Sequence, residues 1–228
     1  DIEKFIEYNL VDVELVVGFE EKLEFIDLCR GIAHAGHVPY EDFVYSSKYL
    51  EGAMLTYLRR KGLVAPNKPA DRRERMEALK ESGSEKFIGA YVKAPIVGKY
   101  DWIYDLDLTS LYPSIIMTLN ISPEAKVGKI QDWDANKFVK GEVDTYLIGE
   151  DTITKENLKK YLEQSKFSIA SNGVLYRTDK VGCIPGILNL WFDKRVEYKN
   201  EMKKYGKAGN KEKYAFFHKR QLVQKILL

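Results

Sequence analysis

Cysteine is nearly absent from this chain. Only Cys29 and Cys183 occur among 228 residues, with no nearby Cys or His at metal-ligand spacing. That argues against a disulfide framework or a structural zinc site and points to two reduced thiols in a cytosolic setting. No stretch approaches the ~20 consecutive apolar residues of a transmembrane helix, so no membrane partner is expected. The opening Asp1-Ile2-Glu3-Lys4 lacks the basic-then-apolar order of a signal peptide, which gives no support for export. Internal repeats and low-complexity tracts are also missing. Hydrophobic residues make up 45% and charged residues 31%, an ordinary balance for a soluble globular protein. The length suits roughly one large domain or two small ones.

Net charge is only +2, but it is segregated. Trp191–Leu228 holds eleven Lys/Arg against four Asp/Glu, a balance of +7, whereas the preceding 190 residues carry 25 basic and 30 acidic side chains, a balance of −5. The C-terminal segment is suited to meeting a polyanion, with a merely solvated basic helix pair as the alternative.

Apolar periodicity predicts an amphipathic helix from Phe5 to about Cys29 and a second over Ser46–Arg60, stopped by Gly62. Residues from about Asn67 to Ser84 are charged and without a core pattern, which reads as an exposed loop. Phe87–Lys93 and Trp102–Leu108 read as strands on either side of a Pro95/Gly98 turn region. Lys166–Ala170 and Val174–Arg177 flank Ser171-Asn172-Gly173, a hairpin signal. After Gly182 and Pro185 the pattern becomes helical, from about Gly186 to Lys204, then turns at Tyr205–Asn210 into a second helix over Lys211–Leu228, forming a helical hairpin.

On the Asp101–Thr109 strand, alternation puts Asp105 and Asp107 on one face, with side chains emerging roughly 7 Å apart. Carboxylates are natural ligands for magnesium; the alternative is a solvent-facing strand whose acids discourage edge pairing. The continuation is more specific. Asp107-Leu-Thr-Ser110-Leu111-Tyr112-Pro113-Ser114-Ile115 resembles motif A of family B DNA polymerases, written Asp-x-x-Ser-Leu-Tyr-Pro-Ser-Ile. That resemblance implies that Asp107 binds two catalytic magnesium ions, helped by the Leu108 carbonyl. It also implies that Ser110, Leu111 and Tyr112 cradle the triphosphate and sugar of an incoming deoxynucleoside triphosphate. Asp105 lies outside the family pattern and receives no role.

Downstream, Arg195, Lys199 and Lys203 recur on one helix face, and His218, Gln221 and Lys225 share a face on the next. Such opposed cations suit phosphate, although interleaved Glu197 and Glu201 also fit an ordinary exposed helix. Placed after motif A, the pair is similar to the polymerase fingers, with Arg195-x-x-x-Lys199 on the first helix and Gln221-x-x-x-Lys225 opening motif B. By resemblance Arg195, Lys199 and Lys225 hold the triphosphate. Phe87-Ile88-Gly89-Ala90 resembles the family's Tyr-x-Gly-Gly/Ala segment, which contacts template DNA, with Phe in place of Tyr. Tyr8-x-x-x-Asp12 matches the third proofreading exonuclease motif, and Asp12 would be a metal ligand of that partial site. Leu108-Thr-Ser-Leu-Tyr-Pro-Ser-Ile-Ile116 with Asn120-Ile-Ser-Pro-Glu124 resembles T-even bacteriophage replicative polymerases, which implies a viral protein in a bacterial cytoplasm.

The fold expected is α/β (α+β): residues 1–24 the end of a 3′-5′ exonuclease domain, 25–80 a linking segment, 81–185 a partial palm sheet and 186–228 a fingers hairpin. The function implied is template-directed DNA synthesis on primer-template DNA. The second palm aspartate (motif C) and the thumb do not occur in this sequence, so a missing C-terminal polymerase portion is the expected partner and the chain alone is expected to be inactive. Two readings from other classes remain: a non-catalytic nucleic-acid-binding module, and a proofreading nuclease lacking the acids that would pair with Asp12.

Overall fold

Within Ser46–Arg60, Tyr49 and Ala53 lie one turn apart and are buried, with Met54 and Tyr57 packed against the same core. This face makes the segment helical, and Gly62 ends it with φ +69° while the Leu63 amide reaches back to the Leu58 carbonyl at 2.9 Å. The computed structural model describes residues 1–67, 92–149 and 151–228. They fall into two units, one formed by 1–63 with 109–228 and the other by 64–108.

The larger unit contains, in chain order, α1 (Ile2–Leu23), α2 (Phe25–Gly36), α3 (Ser46–Arg60), α4 (Leu111–Leu119), β1 (Lys126–Lys129), α5 (Ala135–Lys140), β2 (Thr145–Ile148), β3 (Asp151–Thr154), α6 (Lys155–Ser165), β4 (Phe167–Ile169), β5 (Val174–Arg177), α7 (Cys183–Lys207) and α8 (Lys211–Leu227). This mixture agrees with the expected α+β class. One core joins Ile32 of α2, Tyr49 and Ala53 of α3, Ile187, Leu188 and Trp191 of α7, and Val223 and Leu227 of α8. The α2–α3 crossing is close enough to require glycine on both sides: a Cβ on Gly36 would come 2.5 Å from that of Tyr49, and one on Gly52 would come 2.5 Å from the Gly36 carbonyl.

A second core of Ile130, Tyr146, Leu158 and Leu175 lies under two small antiparallel sheets, β1-β5-β4 and β2-β3. The β4–β5 hairpin forms where expected. Its turn needs Gly173, at φ +82°, where an added Cβ would strike Trp133 at 2.6 Å, and the Trp133 indole N–H donates to the Ser171 carbonyl at 3.1 Å.

Three expectations need correction. The predicted N-terminal helix is two helices, because Glu24 is left-handed (φ 52°) and the Glu20 carboxylate accepts the Ile26 amide, starting a new helix. Trp102–Leu108 is not a strand: residues 103–108 have no regular structure, and no described segment completes a ladder beside them. Alternation selects a face, but backbone pairing makes the strand. The helix expected from about Gly186 begins at Cys183, capped from afar. Asn120 Oδ1 accepts the Gly182 amide at 2.9 Å, Glu124 accepts that of Cys183, and Ser122 Oγ accepts that of Ile184 at 3.3 Å. The Phe87–Lys93 strand lies almost wholly outside the described residues.

Asn120 also donates from Nδ2 to the carbonyls of Arg177 at 2.6 Å and Lys180 at 2.9 Å. It is buried and left-handed (φ 55°), a conformation asparagine tolerates better than alanine. Asn120→Ala should therefore cost about 2–4 kcal/mol by stranding three partners, read as a lower urea midpoint at unchanged slope. Burial opposes ionisation of Glu124, but hydrogen bonds from the Cys183 amide, its own amide and the Ser122 hydroxyl prevail and hold its carboxyl below the usual range. A depressed folded pKa contributes stability above the unfolded pKa that is lost as pH falls through the folded one. Glu124→Gln should lower stability at neutral pH and flatten the acid limb of a pH–stability curve.

Candidate functional site

Helix α4 begins without a side-chain cap, at left-handed Ser110 (φ 50°, ψ 52°). Pro113 offers no amide, and the Ser114 amide is already bonded to the Ser110 carbonyl at 2.9 Å. The first-turn amides of Leu111 and Tyr112 are the helix's orphan donors and form the positive end of its dipole. Such a terminus attracts anions.

A cation lies beside it. Arg195 Nη1 donates to Ser110 Oγ at 3.2 Å, while Arg195 Nε is buried without a partner among the described residues. The Asn120–Glu124 clasp fixes this meeting by holding the C-terminal end of α4 at the first turn of α7. From there α7 rises ~18 Å over the twelve residues from Cys183 to Arg195, while α4 is ~13 Å long, so the two helices run antiparallel and Arg195 reaches the start of α4. Ile116 and Met117 of α4 pack on the core that holds Ile187, Leu188 and Trp191.

Lys199, one turn beyond Arg195, and Lys225 on α8 are exposed. Gln221, one turn before Lys225 on α8, is buried (8% exposed) and so is not part of an exposed polar face. Tyr112 is 71% exposed, leaving its ring free beside the helix terminus. Asp105, Asp107 and Leu108 are exposed and belong to the unit of residues 64–108. An exposed carboxylate and a neighbouring backbone carbonyl are hard oxygen donors of the kind magnesium takes. Tyr8 and Asp12 are exposed on α1. Phe87, Gly89 and Ala90 lie outside the described residues.

Sequence reasoning gave Asn120, Ser122 and Glu124 no structural role. The signal available was local: an Asn directly after an apolar helical run is a left-handed helix end. Its partners at 177–184 could not be read the same way. Close by, burial and the Glu124 carboxylate push the Cys183 thiol up to about 11, so it stays protonated and unreactive.

The family model described as DNA polymerase family B matches residues 44–228. The DNA-directed DNA polymerase of Escherichia phage RB69 is 24% identical over 200 residues, covering 88% of this chain and 19% of that protein. DNA polymerase 1 of Pyrococcus abyssi is 31% identical over 205 residues, covering 89% and 21%. Among solved structures, the family B DNA polymerase from the hyperthermophilic archaeon Pyrobaculum calidifontis superimposes with a TM-score of 0.64 at 23% identity, over 98% of this chain and 24% of that one; this is a likeness of fold. The chain spans about a fifth of the length of the curated relatives it matches.

If the α4 terminus and Arg195 form one anion site, Arg195→Ala should weaken binding of inorganic triphosphate by about 10- to 100-fold, the scale of a lost charged hydrogen bond. Arg195→Lys should recover part of it, because the point charge stays but the fork does not. Calorimetric titration of the three proteins reads this directly.

Proposed function

This chain belongs to DNA polymerase family B, and we propose that it carries the nucleotide-binding side of a site for template-directed transfer of deoxynucleotides to a primer 3′-hydroxyl. The observation that carries this reading is the hydrogen bond from Arg195 to Ser110. It joins a cation of one helix to the amide-bearing start of another. A triphosphate would accept from the Leu111 and Tyr112 amides and from Arg195, with Lys199 and Lys225 adding charge. Holding the β- and γ-phosphates in this way orients the α-phosphate for in-line attack and stabilises the pyrophosphate as it leaves. Phosphoryl transfer of this kind depends on positioning and electrostatics and needs no covalent nucleophile.

The Asp107 carboxylate and the Leu108 carbonyl would hold magnesium. Bound there, the ions would activate the primer hydroxyl and neutralise the leaving group. The exposed Tyr112 ring would lie under the sugar and exclude a 2′-hydroxyl. Tyr8 and Asp12 would belong to a proofreading exonuclease site, and Phe87, Gly89 and Ala90 to a contact with template DNA. On this reading residues 1–24 close the exonuclease domain, 25–80 link it to the palm at 81–185, and 186–228 form the fingers. The break between α1 and α2 at Glu24 and the α7–α8 hairpin support the first and last of these boundaries.

The test uses a complete family B polymerase carrying this segment. Asp107→Ala should reduce primer extension on the order of 10³-fold, the scale of removing a principal electrostatic group, while Asp105→Ala keeps most of it. Equal losses would reject Asp107 as the distinctive ligand. Tyr112→Ala should raise kcat/KM for ribonucleotides relative to deoxyribonucleotides, with extension still metal-dependent; an unchanged ratio would leave Tyr112 with a purely structural role.

A further inference from the structure

The far end of the α7–α8 hairpin is built from cations. Lys203 and Lys207, one turn apart on α7, line an open hollow of about 520 Å³ with Asn200, Lys204 and Ala208, and no carboxylate lines it. Lys211 opens α8 across the turn. Lys203, Lys207 and Lys211 are exposed and make no ion pair among the described residues. Only Lys204 is paired, with Glu201 at 3.4 Å.

Aromatic rings brace this end. Tyr205 and Phe217 stack at 5.6 Å with planes 3° apart, tying the helices together. Lys204 and Lys213 lie over the Tyr205 ring at 5.4 and 4.8 Å. Those stems are ordered before any ligand arrives, which lowers the entropy cost of using them. Tyr214 lies against α7 at Gly206, stacks on His218 with centroids 6.1 Å apart and remains 41% exposed.

We propose that this lysine-lined end of the hairpin binds the phosphodiester backbone of single-stranded DNA, separately from the triphosphate contacts of Arg195, Lys199 and Lys225. Lys203 and Lys207 lie ~12 and ~18 Å along α7 from Arg195, so one triphosphate does not span both places. Lysine supplies point charges suited to phosphates without reading bases. An exposed aromatic ring at the same end of a hairpin as a cationic hollow can hold unpaired bases of a strand bound there. An acidic protein fits less well, because stable protein interfaces centre on buried aromatic or Arg anchors and are depleted in Lys. The choice of DNA over other polyanions rests on the polymerase reading above.

The test is fluorescence anisotropy of a labelled mixed-sequence single strand with the 228-residue chain across a KCl series. The combined variant Lys203→Gln, Lys207→Gln, Lys211→Gln should bind at least about 10-fold more weakly at low salt and lose about 2 units from the magnitude of the log–log salt slope, since each phosphate neutralised on a single strand contributes ~0.7. Tyr214→Ala should weaken binding with the slope unchanged. The triple variant should still bind a fluorescent deoxynucleotide analogue as the parent does. Unchanged DNA affinity and slope in the triple variant would overturn the proposal, as would equal displacement of DNA by polyglutamate of matching charge, which would mark a surface for acidic protein. Loss of nucleotide binding together with DNA binding would overturn the claim of separate sites. If the parent binds DNA through these lysines but binds no nucleotide, the polymerase reading fails while this surface stands.

Discussion

The first turn of α7 presents backbone amides at Gly182, Cys183 and Ile184, and side chains of Asn120, Glu124 and Ser122 accept all three. Helices usually draw such caps from the residue just before them; here the cap comes from about sixty residues upstream. The same asparagine takes two carbonyls at the end of β5. One short segment therefore ties the end of α4, the end of the sheet's central strand and the start of the longest described helix to a common point. The direction of α7, and with it the position of Arg195, follows from that tie.

Arg195 is held at some cost. Its Nε is buried without a partner among the described residues, and its Nη1 bond to Ser110 Oγ is long at 3.2 Å. A buried donor left unmade costs about 1–3 kcal/mol. The core beneath it offsets that cost, since Ile187, Leu188 and Trp191 are buried one to two turns earlier on the same helix. A group kept under-satisfied beside uncapped helix amides gains hydrogen bonds when an anion arrives. On the proposed reading, the ground state would leave unmade the interactions that a phosphate makes, an economical use of binding energy.

What could be read from the residues was local in origin. Ser46–Arg60 and the Ser171-Asn172-Gly173 hairpin carry their own periodicity and turn residues and formed where expected; α7 and α8 formed as the expected pair, with α7 starting three residues early at Cys183. The errors came where a partner decides. Alternation at Trp102–Leu108 is real, yet an extended segment becomes a strand only when another backbone pairs with it. Gln221 shares a helical spacing with His218 and Lys225, yet it is buried where they are exposed. Glu24 reads as an ordinary helical residue until the Glu20 carboxylate takes the Ile26 amide. In the candidate site, Ser110 and Arg195 were named separately from their motifs. Their contact across 85 residues was not legible, because it depends on the clasp at Asn120–Glu124.

Charge is distributed along α7 according to burial. Arg195, near the core, acts at short range, where water and salt screen little. Lys203 and Lys207, toward the exposed end, act through solvent and weaken steeply with ionic strength, over a Debye length of about 8 Å at physiological salt. Two kinds of work follow from that gradient. Exposed lysines raise the local concentration of a polyanion and speed its arrival, but they fix little geometry, because solvent and salt screen their fields. A half-buried guanidinium beside a helix terminus does the reverse: it captures slowly and orients well. On the proposed reading, placing both on one helix, pinned at its first turn by Asn120, would let a single element attract a strand at one end and align a triphosphate nearer the other.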